Sequence, residues 1–188
     1  MIVDSLGEKE LIKMCIKGDR RCQNILYENL SPKMMVVCYR YSRNREDAED
    51  TLMEGFLKVF ENIKQFRNEG SFEGWVRKIM VNTAITKFKK TNTLAVVVSI
   101  ESIHYGIKSD ENTFDEMGAK QLMEMIQQLP PAYQMVFNLY SFEGMKHKEI
   151  AVKLGISEGT SKSNLFDARA ILKKTIEKTR QYDLVSNG

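Results

Sequence analysis

Apolar residues recur along this chain at the spacing of helix faces, with few strand signals. Leu11, Ile12, Cys15 and Ile16 share one face of a predicted helix over residues 8–17, which Gly18-Asp19 breaks. A second pattern holds Ile25, Leu26 and Leu30 and is expected to end at Ser31-Pro32. There Ser31 as N-cap and Pro32 at the first helical position would open a third helix through Met34, Val37, Cys38 and Tyr41. A fourth carries Ala48, Leu52, Phe56, Val59, Phe60 and Ile63 on one stripe. Residues 66–71, FRNEGS, interrupt the period, which resumes with Phe72, Trp75, Val76, Ile79, Met80 and Ala84. The run from Leu94 to Ile100 has β-type residues but no evident partner strand, and the rest of 92–117 is polar and mostly acidic. Helical spacing returns with Leu122, Met125, Ile126 and Leu129. Pro130-Pro131 then stops one helix and starts another, striped by Tyr133, Val136, Phe137 and Tyr140. The expected fold is all-α: two small helical domains, 1–91 and 118–180, joined by a flexible linker, 92–117, with a disordered tail, 181–188.

The stretch from His147 to Arg169 reads as two short helices about a tight turn. Ile150, Ala151 and Leu154 form the inner face of the first, Gly155 ends it in a left-handed conformation, and Ser157 caps the second. The second helix buries Leu165, Ala168 and Leu172, while Ala151 and Gly155 are small where the two helices would cross. This is helix-turn-helix spacing, which offers the start of the second helix to a DNA major groove. Thr160, Lys162, Ser163, Phe166 and Asp167 point away from the buried stripe. They supply phosphate donors, base-edge donors and acceptors, and an apolar group for a thymine methyl. An ordinary helical hairpin with a solvated face would share much of this pattern. Ser161 stands where such units bury a branched apolar residue, and its hydroxyl is expected to bond to the preceding turn of its own helix.

Composition narrows the classes further. The 188 residues carry the apolar and charged fractions of a globular protein, and a net charge of +3 does not by itself announce nucleic-acid binding. No stretch approaches a membrane span, so no membrane insertion is expected. The N-terminus lacks a secretory pattern, so the expected location is cytoplasmic. The 3 cysteines, Cys15, Cys22 and Cys38, lack metal-ligand spacing and read as reduced core side chains, with no metal and no cofactor expected.

Where the charge lies is more informative than its sum. The fourth helix carries Glu46, Asp47, Glu49, Asp50 and Glu54 on its outer side. The acids suit a helix N-terminus, and they equally suit a docking surface for a basic partner. From Val76 to Lys90 the charged residues are Arg77, Lys78, Lys87, Lys89 and Lys90, without an acid, which is the composition of a phosphate track. Phe72 and Trp75 beside the polar loop are candidates to stack an unpaired base, although core packing is the commoner use of such aromatics.

Taken together, DAEDTLMEGFLKVFENIKQF followed by FEGWVRKIMVNTA resembles region 2 of sigma-70 family RNA polymerase sigma factors. LPPAYQMVFNLYSFEGMKHKEIAVKLGISEGTSKSNLFDARAIL resembles region 4 of the same family, in the order and spacing of its extracytoplasmic-function type. The resemblance implies docking on core RNA polymerase, on the β′ clamp helices and the β flap, with Asp47, Asp50, Met53 and Glu54 among the contacts. Met53 stands where the family commonly has glutamine. It implies capture of single-stranded promoter DNA at the −10 element by Arg67, Asn68, Ser71, Phe72, Trp75, Arg77, Lys78 and Asn82. Reading of duplex DNA at the −35 element falls to Thr160, Lys162, Ser163, Phe166, Asp167 and Arg169. Asp167 replaces a common arginine and is expected to shift sequence preference by accepting from a cytosine amino group. The acidic linker resembles the family segment that threads the RNA exit path, and an anti-sigma factor is the expected regulatory partner.

A different class, a self-sufficient dimeric helix-turn-helix regulator, would bind duplex DNA tightly without polymerase. An enzyme has little support: His104 and His147 are far apart, and no phosphate loop, HExxH or nucleophile elbow occurs. His147 reads as an exposed residue in the first turn of a DNA-facing helix.

Overall fold

The computed structural model describes residues 7–95 and 118–186 of the chain, and every regular element among them is helical. The chain divides into two compact units, Met1–Lys87 and Phe88–Gly188.

In the first unit, α1 (Glu8–Ile16) buries Leu11, Ile12 and Cys15. Gly18, at φ 85°, turns the chain. Asp19 then caps α2 (Arg20–Tyr41), its carboxylate accepting from the Arg21 and Cys22 amides at 2.9 and 3.0 Å. Here the structure departs from the sequence expectation, because Ser31 opens no new helix and Pro32 sits inside a continuous one. An interior proline removes a backbone donor and crowds the preceding turn, at a cost of about 3 kcal/mol. The stripe outweighs it: Cys22 and Leu26 before the proline and Met34, Val37 and Cys38 after it are all buried on one side, so a break would expose half of them.

Asn44 caps α3 (Arg45–Asn62) by accepting from the Asp47 amide at 2.8 Å. Ala48, Leu52, Phe56 and Val59 form the expected buried stripe, which Ile63 extends in a 3-10 turn, Ile63–Gln65. α1 and α3 both pack on α2, with the Tyr27 ring edge-on to Phe56 at 4.7 Å. α4 (Phe72–Ala95) meets α3 at Gly55, where a β-carbon would run into the sulfur of fully buried Met80. Lys33 on α2 pairs with Glu73 at 2.7 Å. α4 extends through Ala95, into the first residues of the expected linker; residues 96–117 lie outside the described part.

In the second unit, α5 (Ala119–Gln127) buries Met125 and Ile126, and Leu129 follows them into the core. α6 (Pro131–Ser141) starts on its proline and is buried from Gln134 to Leu139. Tyr133 and Tyr140, expected on the same stripe as Val136 and Phe137, are instead half-buried, because the middle of α6 is covered on almost every side while its ends are not. α7 (His147–Leu154) ends at Gly155, φ 73°, whose amide donates to Ala151 at 2.9 Å. A β-carbon on Gly155 would meet nothing, so this glycine serves the left-handed turn and not a close helix crossing. α8 (Glu158–Ser186) packs against α5, α6 and α7 through Leu165, Ala168, Leu172 and Ile176. Ile176 carries the stripe beyond Leu172, and the helix persists to Ser186 where a disordered tail was expected from residue 181. Among the described residues no helix is long and apolar enough to cross a membrane.

Candidate nucleic-acid interface

The outward face of α8 is built from its first turn. Ser157 accepts from the Thr160 amide at 2.9 Å and bonds the Thr160 hydroxyl at 2.8 Å, and Ser163 donates to the Thr160 carbonyl at 3.1 Å. At roughly 100° per residue, Lys162 lies on the flank of the buried stripe, while Ser163, Phe166 and Asp167 lie opposite it. The first two are exposed and Phe166 is 42 % exposed. Lys162 pairs with Glu158 at 2.8 Å, and this lysine, first as a hydrogen-bond donor and then by its charge, holds the Glu158 carboxyl below its ordinary range. Asp167 is half-buried, and its carboxylate acts on the Tyr133 hydroxyl. Burial, then the Asp167 charge, push the Tyr133 phenol above its ordinary value.

Two residues of this element differ from the sequence expectation. Ser161 is 0 % exposed, and its hydroxyl turns not to the preceding turn of its own helix but to Nδ1 of His147, 3.0 Å away. His147 is therefore half-buried, stacked on Tyr140 with ring centroids 4.8 Å apart, and not a free group at a DNA-facing helix start. Arg169 lies at the edge of the buried stripe with its guanidinium 5.5 Å from the Tyr140 ring centre. It is set apart from the Ser163 and Asp167 side of α8.

α4 carries the second face. The loop before it is exposed at Arg67, Asn68 and Ser71, and turns through Asn68 at φ 58° and Gly70 at φ 93°. Ser71 caps α4 by accepting from the Gly74 amide at 3.1 Å. Half-buried Trp75 and exposed Lys78 and Asn82 then fall on one face, at i, i+3 and i+7. Phe72 does not join them: at 1 % exposure it lies in the core, 5.0 Å from Phe66 and 5.6 Å from Trp75 between ring centroids. It has no face free for a base and serves to support Trp75. Arg77 is also displaced from the expected set, because it shares the side of α4 that Met80, Val81 and Ala84 bury. Residue type suggested both; burial removes Phe72, and helical phase puts half-buried Arg77 off the Trp75 face.

The third face is on α3. Glu46, Asp50, Met53, Glu54, Leu57 and Glu61 share its outward side, with Asp47 at the edge, where its carbonyl accepts from Thr51 at 2.7 Å. Met53 is 58 % exposed and Leu57 62 %, one turn apart among carboxylates. Leu57 went unread in the sequence, although a leucine out of phase with Leu52, Phe56 and Val59 was the available signal. Glu54 pairs with Lys58 at 2.6 Å, and Lys58 also donates to Thr83 of α4 at 3.3 Å.

Cys15, Cys22 and Cys38 are free and buried, as expected. Burial pushes the Cys15 thiol up to about 11 and the Cys38 thiol to about 12. Among the described residues no cluster of His, Cys, Asp and Glu could hold a metal ion.

These faces sit inside two stretches similar to known proteins. Residues 26–93 match the family described as Sigma-70 region 2, and residues 119–172 match Sigma-70, region 4. The chain is 25 % identical over 182 residues to the RNA polymerase sigma-H factor of Pseudomonas aeruginosa, covering 90 % of this chain and 94 % of that protein. It is 25 % identical over 187 residues to the ECF RNA polymerase sigma-E factor of Haemophilus influenzae, covering 94 % and 98 %. In fold it is similar to the sigma factor RpoE solved in complex with the anti-sigma factor NepR from Bartonella quintana, at TM-score 0.50 and 17 % identity, over 82 % of this chain and 96 % of that one.

Proposed function

The chain belongs to the sigma-70 family of RNA polymerase sigma factors, as one of the extracytoplasmic-function type, and we propose that it docks on core polymerase through α3 and holds promoter DNA through α4 and α8. It acts in transcription initiation and performs no catalysis of its own. The outward side of α3 offers Met53 and Leu57 for burial against the β′ clamp helices, with Asp50 and Glu54 meeting basic partners around them. Met53 in place of the family's common glutamine makes that contact apolar.

Promoter opening needs binding free energy directed at an unpaired strand. The exposed loop 67–71 and the Trp75, Lys78 and Asn82 face suit one displaced base: the indole offers a stacking surface, and the lysine and amide engage the backbone beside it. On α8, Lys162 and Ser163 contact phosphates and base edges of the −35 duplex, Phe166 meets a thymine methyl, and Asp167 accepts from a cytosine amino group. The domains follow the two helical groups, α1–α4 and α5–α8, and the acidic linker between them follows the RNA exit path. An anti-sigma factor, such as NepR for the Bartonella quintana relative, covers the exposed apolar residues while the protein is held inactive in the cytoplasm.

The observation that carries this reading is the α4 face, a half-buried tryptophan in phase with exposed Lys78 and Asn82 beside a left-handed polar loop. The test is run-off transcription by core polymerase with and without the protein. Initiation should depend on the added chain and be lost when Asp50 and Glu54 are both changed to lysine. Specific footprinting by the protein alone, with no rescue of core polymerase, would instead identify a self-sufficient regulator.

A further inference from the structure

We propose that His147 is a positioning residue for DNA reading, and that with Ser161 and Tyr140 it forms a polar clasp setting the rotation of α8; the inference rests on the reading of α8 given above. Ser161 is fully buried at the crossing of α7 and α8. A buried hydroxyl without a partner costs about 1–3 kcal/mol, so its bond to His147 Nδ1 at 3.0 Å is what allows a serine there. The imidazole is in turn stacked on Tyr140 at 4.8 Å and 25°, and the same tyrosine ring lies against the Arg169 guanidinium. One point of the unit thus ties Tyr140 of α6, His147 of α7, and Ser161 and Arg169 of α8.

Two physical features separate this closure from an apolar one. Apolar contact is non-directional and tolerates sliding, whereas a hydrogen bond weakens steeply with angle and over a few tenths of an ångström. Ser161 also stands on the back of α8 immediately before Lys162 on its flank and Ser163 on its front, so a change in rotation at the clasp passes directly to those side chains. The ion pair of Glu158 with Lys162 shares that first turn, next to the clasp.

The experiment compares full-length His147→Phe, Ser161→Val, the double variant and His147→Asn with the wild type. Phenylalanine keeps the stack and loses the bond; asparagine keeps an amide near the position of Nδ1. The readouts are melting temperature, selection from a −35 promoter library with core polymerase and by the chain alone, and the imidazole nitrogen NMR signals. The double variant should regain the wild-type melting temperature through ordinary apolar closure. Its discrimination against single −35 mismatches should still fall about fivefold, the worth of one displaced hydrogen bond. His147→Asn should retain wild-type discrimination. A double variant with full wild-type preference, or an imidazole signal without a bond at Nδ1, would overturn the clasp. Absence of core-dependent initiation by the wild type would defeat the sigma reading alone, and the clasp would then be decided by the imidazole signals and by the duplex preference of the chain itself.

Discussion

The faces of α4 and α8 proposed to contact nucleic acid rest on opposite kinds of support. Trp75 on α4 stands on rings, with Phe66 and buried Phe72 behind it and a loop in front that turns through left-handed residues. The outward side of α8 stands on hydrogen bonds, Ser157 to Thr160 and His147 to Ser161, with Tyr133 beside Asp167. An aromatic platform accepts any base and leaves its approach to the loop. Directional bonds hold side chains in a fixed orientation, as reading a rigid duplex groove requires. The difference teaches that the first face suits capture and the second suits discrimination.

The largest effect expected from breaking this contrast is at Trp75. Trp75→Ala removes a stacking surface worth about 1–3 kcal/mol per base, and run-off initiation from duplex promoters should fall by roughly tenfold to a hundredfold. Tight −35 binding by the polymerase complex should persist. Gly55→Ala probes the support of α4: with Met80 buried against it, overpacking should cost about 1–3 kcal/mol, read as a lower urea midpoint for the first unit with the second unchanged. Asp167→Ala should relax preference at one −35 position by about fivefold to tenfold, and Tyr133→Phe, which frees the carboxylate, should alter the same position. Unaltered preference across a promoter library in both variants would remove Asp167 from the reading set.

A separate contrast between the two units is alkaline. Cys15 and Cys38 have folded values raised to about 11 and 12 from 9.0, so the stability they contribute is fully present below pH 9 and is lost as pH rises toward the folded values. Tyr133 acts with the same sign from its ordinary value of 10.0. Between pH 9 and 10, then, the urea midpoint of the first unit should decline while that of the second holds.

Most helices were legible because a buried stripe repeats with the helical period, whatever it packs against. Pro32 shows where that fails: its local signal for a helix start was sound, and a stripe spanning both sides of it prevailed. Phe72 and Arg77 had suitable chemistry beside the polar loop, yet phase on α4 buries Phe72 and puts half-buried Arg77 off the Trp75 face. Leu57 was visible as an out-of-phase leucine and went unread.

Most buried stripes, the turn at Gly155, the cap at Ser157 and the family likeness were determined by sequence alone, since each depends on neighbours within a few residues or on a motif. The partner of Ser161, the packing of Arg169 on Tyr140 and the pairing of Tyr133 with Asp167 were decided only by tertiary structure. They join residues of different helices, and the distance between two helices is set by the packing of the whole unit rather than by any local pattern.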